Sequence, residues 1–207
     1  MRFEKFIKKY SLDKNIIKIL EENCRIYLND LKKQNNKNPV LLYSGRKSSD
    51  KFINKKIRKG RSPKDTPKEV HKMIDNEFEK QFGLKPRSNS LFCYPDFNEI
   101  VWSYGTPFVI FPKGQYKLLW SPNVTDLLVK IRNYFGIHEV DKINNQDLQK
   151  YLQKLIETYK ISDASAIPYI PEDNEIMLIS QSYYGISYKG SIGKQFKDFL
   201  GMIKDIL

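Results

Sequence analysis

Apolar residues change their period several times along this chain, and that alternation restricts the fold more than any other feature. Ile16, Ile17, Leu20, Cys24, Tyr27, Leu28 and Leu31 recur at intervals of three and four. That spacing puts one apolar stripe on one helix face. It predicts a helical segment within residues 1–38, with Ser11 as its N-cap, and Pro39 disfavours a helical residue before it. Val40 to Tyr43 is then an apolar run of strand length, closed by Ser44-Gly45. A second helix is predicted from Thr66 as cap, Pro67 at the first position and Glu69 at the third. It runs through Val70, Ile74 and Phe78 to Phe82, where Gly83 stops it. Strands are expected at 90–94, 107–111, 116–120, 175–180 and 183–188. Further helices are expected after Ser121-Pro122, over 144–159 and over 194–207. Interleaving of this kind, without an internal repeat, predicts an α+β or α/β fold in a single domain over residues 1–207.

The charge is strongly uneven. Lys and Arg number 36 against 24 Asp and Glu, a net +12. Residues 46–64 hold nine basic residues and one acidic, Asp50, so +8 of that excess is local. Phe52, Ile53 and Ile57 are the large apolar residues among them. The stretch reads as an exposed, mobile basic arm. Lys47, Lys51, Lys55, Lys56, Arg58, Lys59 and Arg61 suit salt-dependent phosphate contacts, which makes nucleic acid or another polyanion the expected partner. A solvated surface is the plainer reading, but such surfaces usually mix signs. An aromatic content of 13% excludes a wholly disordered chain. Two cysteines, Cys24 and Cys93, make no disulfide scaffold, and with His71 and His138 they are too scattered for a zinc site, so no metal is expected. His71 is expected to be exposed on its helix, and His138 to cap one. No stretch of 18 apolar residues suggests a membrane span, and the N-terminus does not read as a secretory signal. The expected location is cytoplasmic, or within a particle assembled in the cytoplasm.

Three segments carry candidate chemistry. They are Leu41-Leu42-Tyr43-Ser44-Gly45-Arg46, Arg87-Ser88-Asn89-Ser90-Leu91-Phe92, and Asp173-Asn174-Glu175 opening an apolar strand that Tyr183-Tyr184-Gly185-Ile186 follows. In this order they resemble the signature strands of the ADP-ribosyltransferase fold: an aromatic-Arg-Gly strand, a serine strand, and a strand opened by a catalytic Glu. The resemblance implies a split β-sandwich with an N-terminal helix and peripheral helices. It implies transfer of ADP-ribose from nicotinamide adenine dinucleotide (NAD), as a substrate, to a protein or nucleic-acid acceptor. Glu175 would be the catalytic carboxylate and Asp173 the acceptor-side residue. Tyr43, Gly45, Arg46, Arg87, Ser88 and Ser90 would hold the dinucleotide.

The sequence departs from that pattern at one place. Ser44 stands where the family has Arg, and Arg46 follows the Gly. Strand side chains alternate, so Arg46 shares a face with Ser44; either Arg46 or Arg87 supplies the charge. Structural readings stand beside each of these. Glu175 could simply open a strand, Asp173 could be a turn residue, and Ser88 and Ser90 flank a loop-like Asn89. The composition also resembles uncharacterised proteins of tailed bacteriophages. That leaves, as alternatives, a non-catalytic particle or DNA-associated protein keeping the fold, or a plain basic nucleic-acid binder.

Overall fold

A computed structural model describes residues 14–34, 39–62, 65–96, 98 and 105–187. Ser11 and the helix expected over 194–207 lie outside the described residues.

The N-terminal segment forms two helices, α1 (Lys14–Asn23) and α2 (Arg25–Lys32), broken at Cys24. The predicted stripe is buried as expected at Ile17, Leu20, Cys24, Tyr27, Leu28 and Leu31. The chain then enters β1 (Tyr43–Arg46) and β2 (Phe52–Lys56). Helix α3 (Lys68–Phe82) and the single turn α4 (Pro86–Asn89) lead to β3 (Leu91–Cys93), β4 (Thr106–Pro112) and β5 (Lys117–Trp120). Helices α5 (Leu127–Phe135) and α6 (Asn145–Ile156) precede β6 (Lys160–Ser162), β7 (Ile176–Ile179) and β8 (Ser182–Ser187).

The strands form two antiparallel four-stranded sheets, ordered β1-β4-β8-β2 and β3-β7-β5-β6. The architecture is therefore α+β. One core joins the first sheet, α1, α2 and one face of the second sheet through Leu118 and Leu178. Leu119 and Met177, on the other face, pack with α3, α5 and α6 in a second core. Burial on both faces explains why β7 reads Ile-Met-Leu-Ile without polar alternation. Tyr43 and Tyr94 form a backbone bridge, exchanging N–H···O bonds of 2.9 and 2.8 Å. Since Tyr94 directly follows β3, this bridge ties the two sheets together.

Several local expectations give way to tertiary packing. Ser44-Gly45 does not end the first strand, because both residues pair with β4 opposite Phe108 and Pro107. The stretch expected as a mobile arm contributes β2, which pairs with β8 from Phe52↔Ile186 to Lys56↔Ser182 and buries Ile53 and Ile57. Thr66 does not cap α3: the helix starts at Lys68 without a side-chain cap, although Gly83 ends it in the left-handed conformation as expected. Ser121 does not cap α5 either. Its hydroxyl bonds Thr158, and Asp126 caps the helix by accepting from Val129 N–H. His71 is buried rather than exposed. Gly136, in the left-handed conformation, ends α5, while His138 only offers its carbonyl to Arg132.

Gly185 marks the tightest packing of the first sheet. A Cβ there would lie 2.8 Å from Cγ1 of Ile53 and 3.2 Å from the Phe108 ring. Ile53 is stiff at χ1 and cannot swing clear. Gly185→Ala is expected to cost about 1–3 kcal/mol, the usual range for overpacking, read as a lower urea midpoint at unchanged m-value.

Candidate functional site

A pocket of about 150 Å³ opens beside the Tyr43–Tyr94 bridge. β1 supplies Ser44, Gly45 and Arg46, and the segment from α4 through β3 supplies Arg87, Phe92 and Tyr94. Glu175 enters from the start of β7, and Arg61, Asp65, Asp126 and Leu128 complete the wall. Arg46, Arg61 and Arg87 thus face three carboxylates.

The pairing of the sheets places β1. Ser44 Oγ donates to the Phe92 carbonyl at 2.6 Å, fastening β1 to β3. Arg46, two residues on, lies on the same side and lines the pocket. Its guanidinium carbon is 5.6 Å from the Tyr183 ring centroid. Its Nε and Nη2 are buried and have no hydrogen-bond partner among the described residues. Buried donors are normally satisfied, so these two can take an anionic or carbonyl ligand.

Glu175 is held from both sides. Its N–H donates to the Thr125 carbonyl at 2.9 Å, and the buried Asn174 side chain donates to the Ser121 carbonyl at 2.6 Å. The loop ahead of α5 therefore brings Asp126 and Glu175 into the pocket together. Arg87 Nη1 donates to Glu175 Oε1 at 3.2 Å, with side chains only 7% and 10% exposed. Burial pushes the Glu175 carboxyl up to about 7, and Asp126 adds to that, while Arg87 and Arg61 oppose it. Cys93 is no nucleophile here, because burial pushes its thiol up to about 12.

A buried cluster behind the pocket sets Arg87. Asp75 Oδ1 accepts the Arg87 N–H at 2.9 Å, and Asp75 Oδ2 accepts the Ser88 hydroxyl. Ser88 has one proton and gives it to Asp75, so His71 Nε2, at 2.9 Å, donates to the Ser88 oxygen. Burial lowers the His71 pKa, which favours the neutral ring that this donation uses. The Ser88 carbonyl in turn accepts the Arg61 N–H at 3.0 Å. Arg61 and Arg87 both lie over the Phe92 ring, at 4.0 and 4.9 Å from its centroid. Burial and the neighbouring Arg87 lower the Arg61 pKa to about 10, so it remains a cation at neutral pH.

The structure brings Gly45, Arg46, Arg87 and Glu175 to one pocket. It does not bring the other named residues there. Tyr43 is buried in the core at the bridge. Ser88 faces α3, and Ser90 is buried away from the pocket wall. Asp173 is exposed in the turn closed by Asn174 N–H to the Pro171 carbonyl. Lys47, Lys51, Lys55, Lys56, Arg58 and Lys59 are exposed outside it, whereas Arg61 belongs to it. Sequence reasoning missed Phe92, Asp126 and the Asp75 cluster. The signal for Asp126 was present, since an Asp directly before Leu127-Leu128 is a good N-cap.

Among the described residues, no three His, Cys, Asp or Glu side chains gather as a metal site, and no helix is long and apolar enough to cross a membrane. Comparison with protein-family models, curated proteins and solved structures finds no match for this chain.

Two outcomes are expected. For Glu175 the folded pKa, about 7, lies above its ordinary 4.5, so the folded state binds the proton more tightly. The stability this provides is present below pH 4.5 and is lost as pH rises through 7. Relative to Glu175→Gln, the wild type should lose on the order of 3 kcal/mol across that window, measured by denaturant unfolding at several pH values. Asp75→Ala strands the Arg87 N–H and the Ser88 hydroxyl. It should cost about 2–3 kcal/mol, as for lost hydrogen bonds to a charged group, with Asp75→Asn costing less.

Proposed function

We propose that the pocket binds the nicotinamide–ribose end of NAD and that the chain transfers ADP-ribose from it to a macromolecular acceptor, on a split β-sandwich of the ADP-ribosyltransferase type. The observation that carries this reading is convergence. Three segments far apart in sequence, around Arg46, Arg87 and Glu175, meet at one pocket. They are the segments whose order resembles that family.

The chemistry follows from the groups present. The bond between the ribose anomeric carbon and the nicotinamide nitrogen breaks, and its electron pair leaves with nicotinamide. Positive charge develops on the ribose as an oxocarbenium-like state. Ionised Glu175 accepts a hydrogen bond from a ribose hydroxyl and stabilises that charge. Arg87, at 3.2 Å, favours the ionised form and fixes the carboxylate's direction. The open donors of Arg46 suit a phosphate oxygen of the dinucleotide. The acceptor nucleophile then bonds to the anomeric carbon and loses its proton to solvent. At about 150 Å³ the pocket is small for a whole dinucleotide, which supports assigning it one end.

The test is titration calorimetry with NAD, followed by transfer from labelled NAD. Arg46→Ala should weaken binding at least tenfold. Glu175→Gln should bind NAD within a few-fold of wild type and lose at least a hundredfold in turnover, as for removal of one key electrostatic group. Turnover of the wild type should rise with pH through about 7 as Glu175 ionises. No binding at millimolar NAD, or undiminished turnover in Glu175→Gln, would overturn the reading.

A further inference from the structure

We propose that the basic segment from Lys51 to Arg61 is a phosphodiester-binding track that runs into the Glu175 pocket, and that the acceptor is therefore a nucleic acid. The second clause rests on the function proposed above; the first does not.

The charges on this segment are unspent. Lys51, Lys55, Lys56, Arg58 and Lys59 are exposed and form no ion pair among the described residues. Other exposed lysines, among them Lys68, Lys72, Lys117 and Lys130, also form no ion pair among the described residues, so what sets this segment apart is its density of cations: Lys51, Lys55, Lys56, Arg58 and Lys59 fall within nine residues. Among the described residues β2 is the outer strand of its sheet and pairs only with β8, so it spans a strip of about 17 Å with one side unpaired by them. The segment is also fixed rather than trailing. Ile57 N–H donates to the Gln181 carbonyl at 3.0 Å, Gly60 N–H to Asn89 Oδ1 at 3.1 Å, and Arg61 N–H to the Ser88 carbonyl at 3.0 Å. Those last two bonds dock it on the turn that carries Arg87. Arg61 then reaches over Phe92 into the pocket. A polyanion lying on the strip is thereby led to the pocket mouth.

Lysines on an edge strand also discourage strand pairing between molecules. That accounts for Lys55 and Lys56. It does not account for Arg58 and Lys59, which lie past the end of β2, or for the docking of this segment at the pocket rim. Contacts through charge alone predict binding that ignores sequence and weakens steeply with salt.

The experiment is fluorescence anisotropy of labelled single-stranded DNA, single-stranded RNA and duplex DNA with the full chain, across a salt series. The wild type should bind at least one of these with micromolar affinity at low salt. Lys55→Ser/Lys56→Ser/Arg58→Ser/Lys59→Ser should weaken binding at least tenfold and reduce the salt slope by about 3 on a single strand. Arg61→Ser alone should also weaken it, because the track ends there. NAD affinity of the four-site variant, measured by calorimetry, should stay unchanged; it also serves as the check on folding, with circular dichroism alongside. An oligonucleotide bound equally well by the four-site variant, or not bound by the wild type at low salt, overturns the track. Transfer from labelled NAD to an acidic protein but not to the bound oligonucleotide overturns the acceptor assignment alone. Oligonucleotide binding without NAD binding overturns the transferase reading and leaves the track standing.

Discussion

The two backbone bonds between Tyr43 and Tyr94 are what the site depends on. β1 belongs to the first sheet through β4, while Tyr94 leaves the second sheet at the end of β3. The bridge between them, reinforced by Ser44 Oγ on the Phe92 carbonyl, brings the sheets together at one corner. Pocket residues follow from it by short steps. Ser44, Gly45 and Arg46 follow the bridged Tyr43 on one side; on the other, Tyr94 is itself in the wall and Phe92 lies two residues before it. β7 pairs with β3, with Cys93 opposite Ile176, and so delivers Glu175 to the same corner. A one-residue slip of β1 would turn Ser44 and Arg46 to the opposite face and empty the pocket of both.

Charge in this corner has an energetic cost that folding alone does not explain. A buried ion pair is often no more stabilising than apolar side chains of the same volume. Arg87 and Glu175 are both nearly enclosed, and Glu175 is desolvated enough to titrate near neutral pH. Asp75, itself buried, spends its two oxygens on the Arg87 backbone and on Ser88. That arrangement positions a cation against a carboxylate. On the proposed reading, chemistry rather than stability selects these residues.

The α+β class, the buried stripe of the first helices and the apolar strands were legible because each rests on a local period. Leu20, Cys24 and Phe78 needed no partner to be identified. Glu175 was singled out by the resemblance of its segment; as an acidic residue opening an apolar run it read equally as a plain strand end. The rest was set by long-range pairing. Residues 46–64 read as a free arm because nine cations outweigh three apolar side chains, yet Ile53 and Ile57 decide the matter by burying against the first sheet. Ser88 reads as a pocket serine only until α3 supplies Asp75 and His71, thirteen and seventeen residues earlier, as its partners. Arg61 was hidden by its charged neighbours, since composition cannot separate the one cation that folds inward from those that do not. Thr66 and Ser121 failed as caps because their helices start at Lys68 and Leu127, one and five residues later than those caps require, the second behind Asp126.

Ser44 shows how the departure from the family pattern and the fold fit together. Its hydroxyl is committed to the Phe92 carbonyl at 2.6 Å, and a guanidinium at that position would remove this tie between the sheets. The alternation of β1 leaves one further position on the same face, and Arg46 occupies it, with two donors open. Arg87 and Arg61 both lie over the Phe92 ring. On the proposed reading, then, the anion-binding task is shared among three arginines, and position 44 is released to hold the sheets together. This division also links the track to the pocket. Arg61 is the last cation of the basic segment and one of the three in the wall, so an anion bound at either place acts on the same side chain.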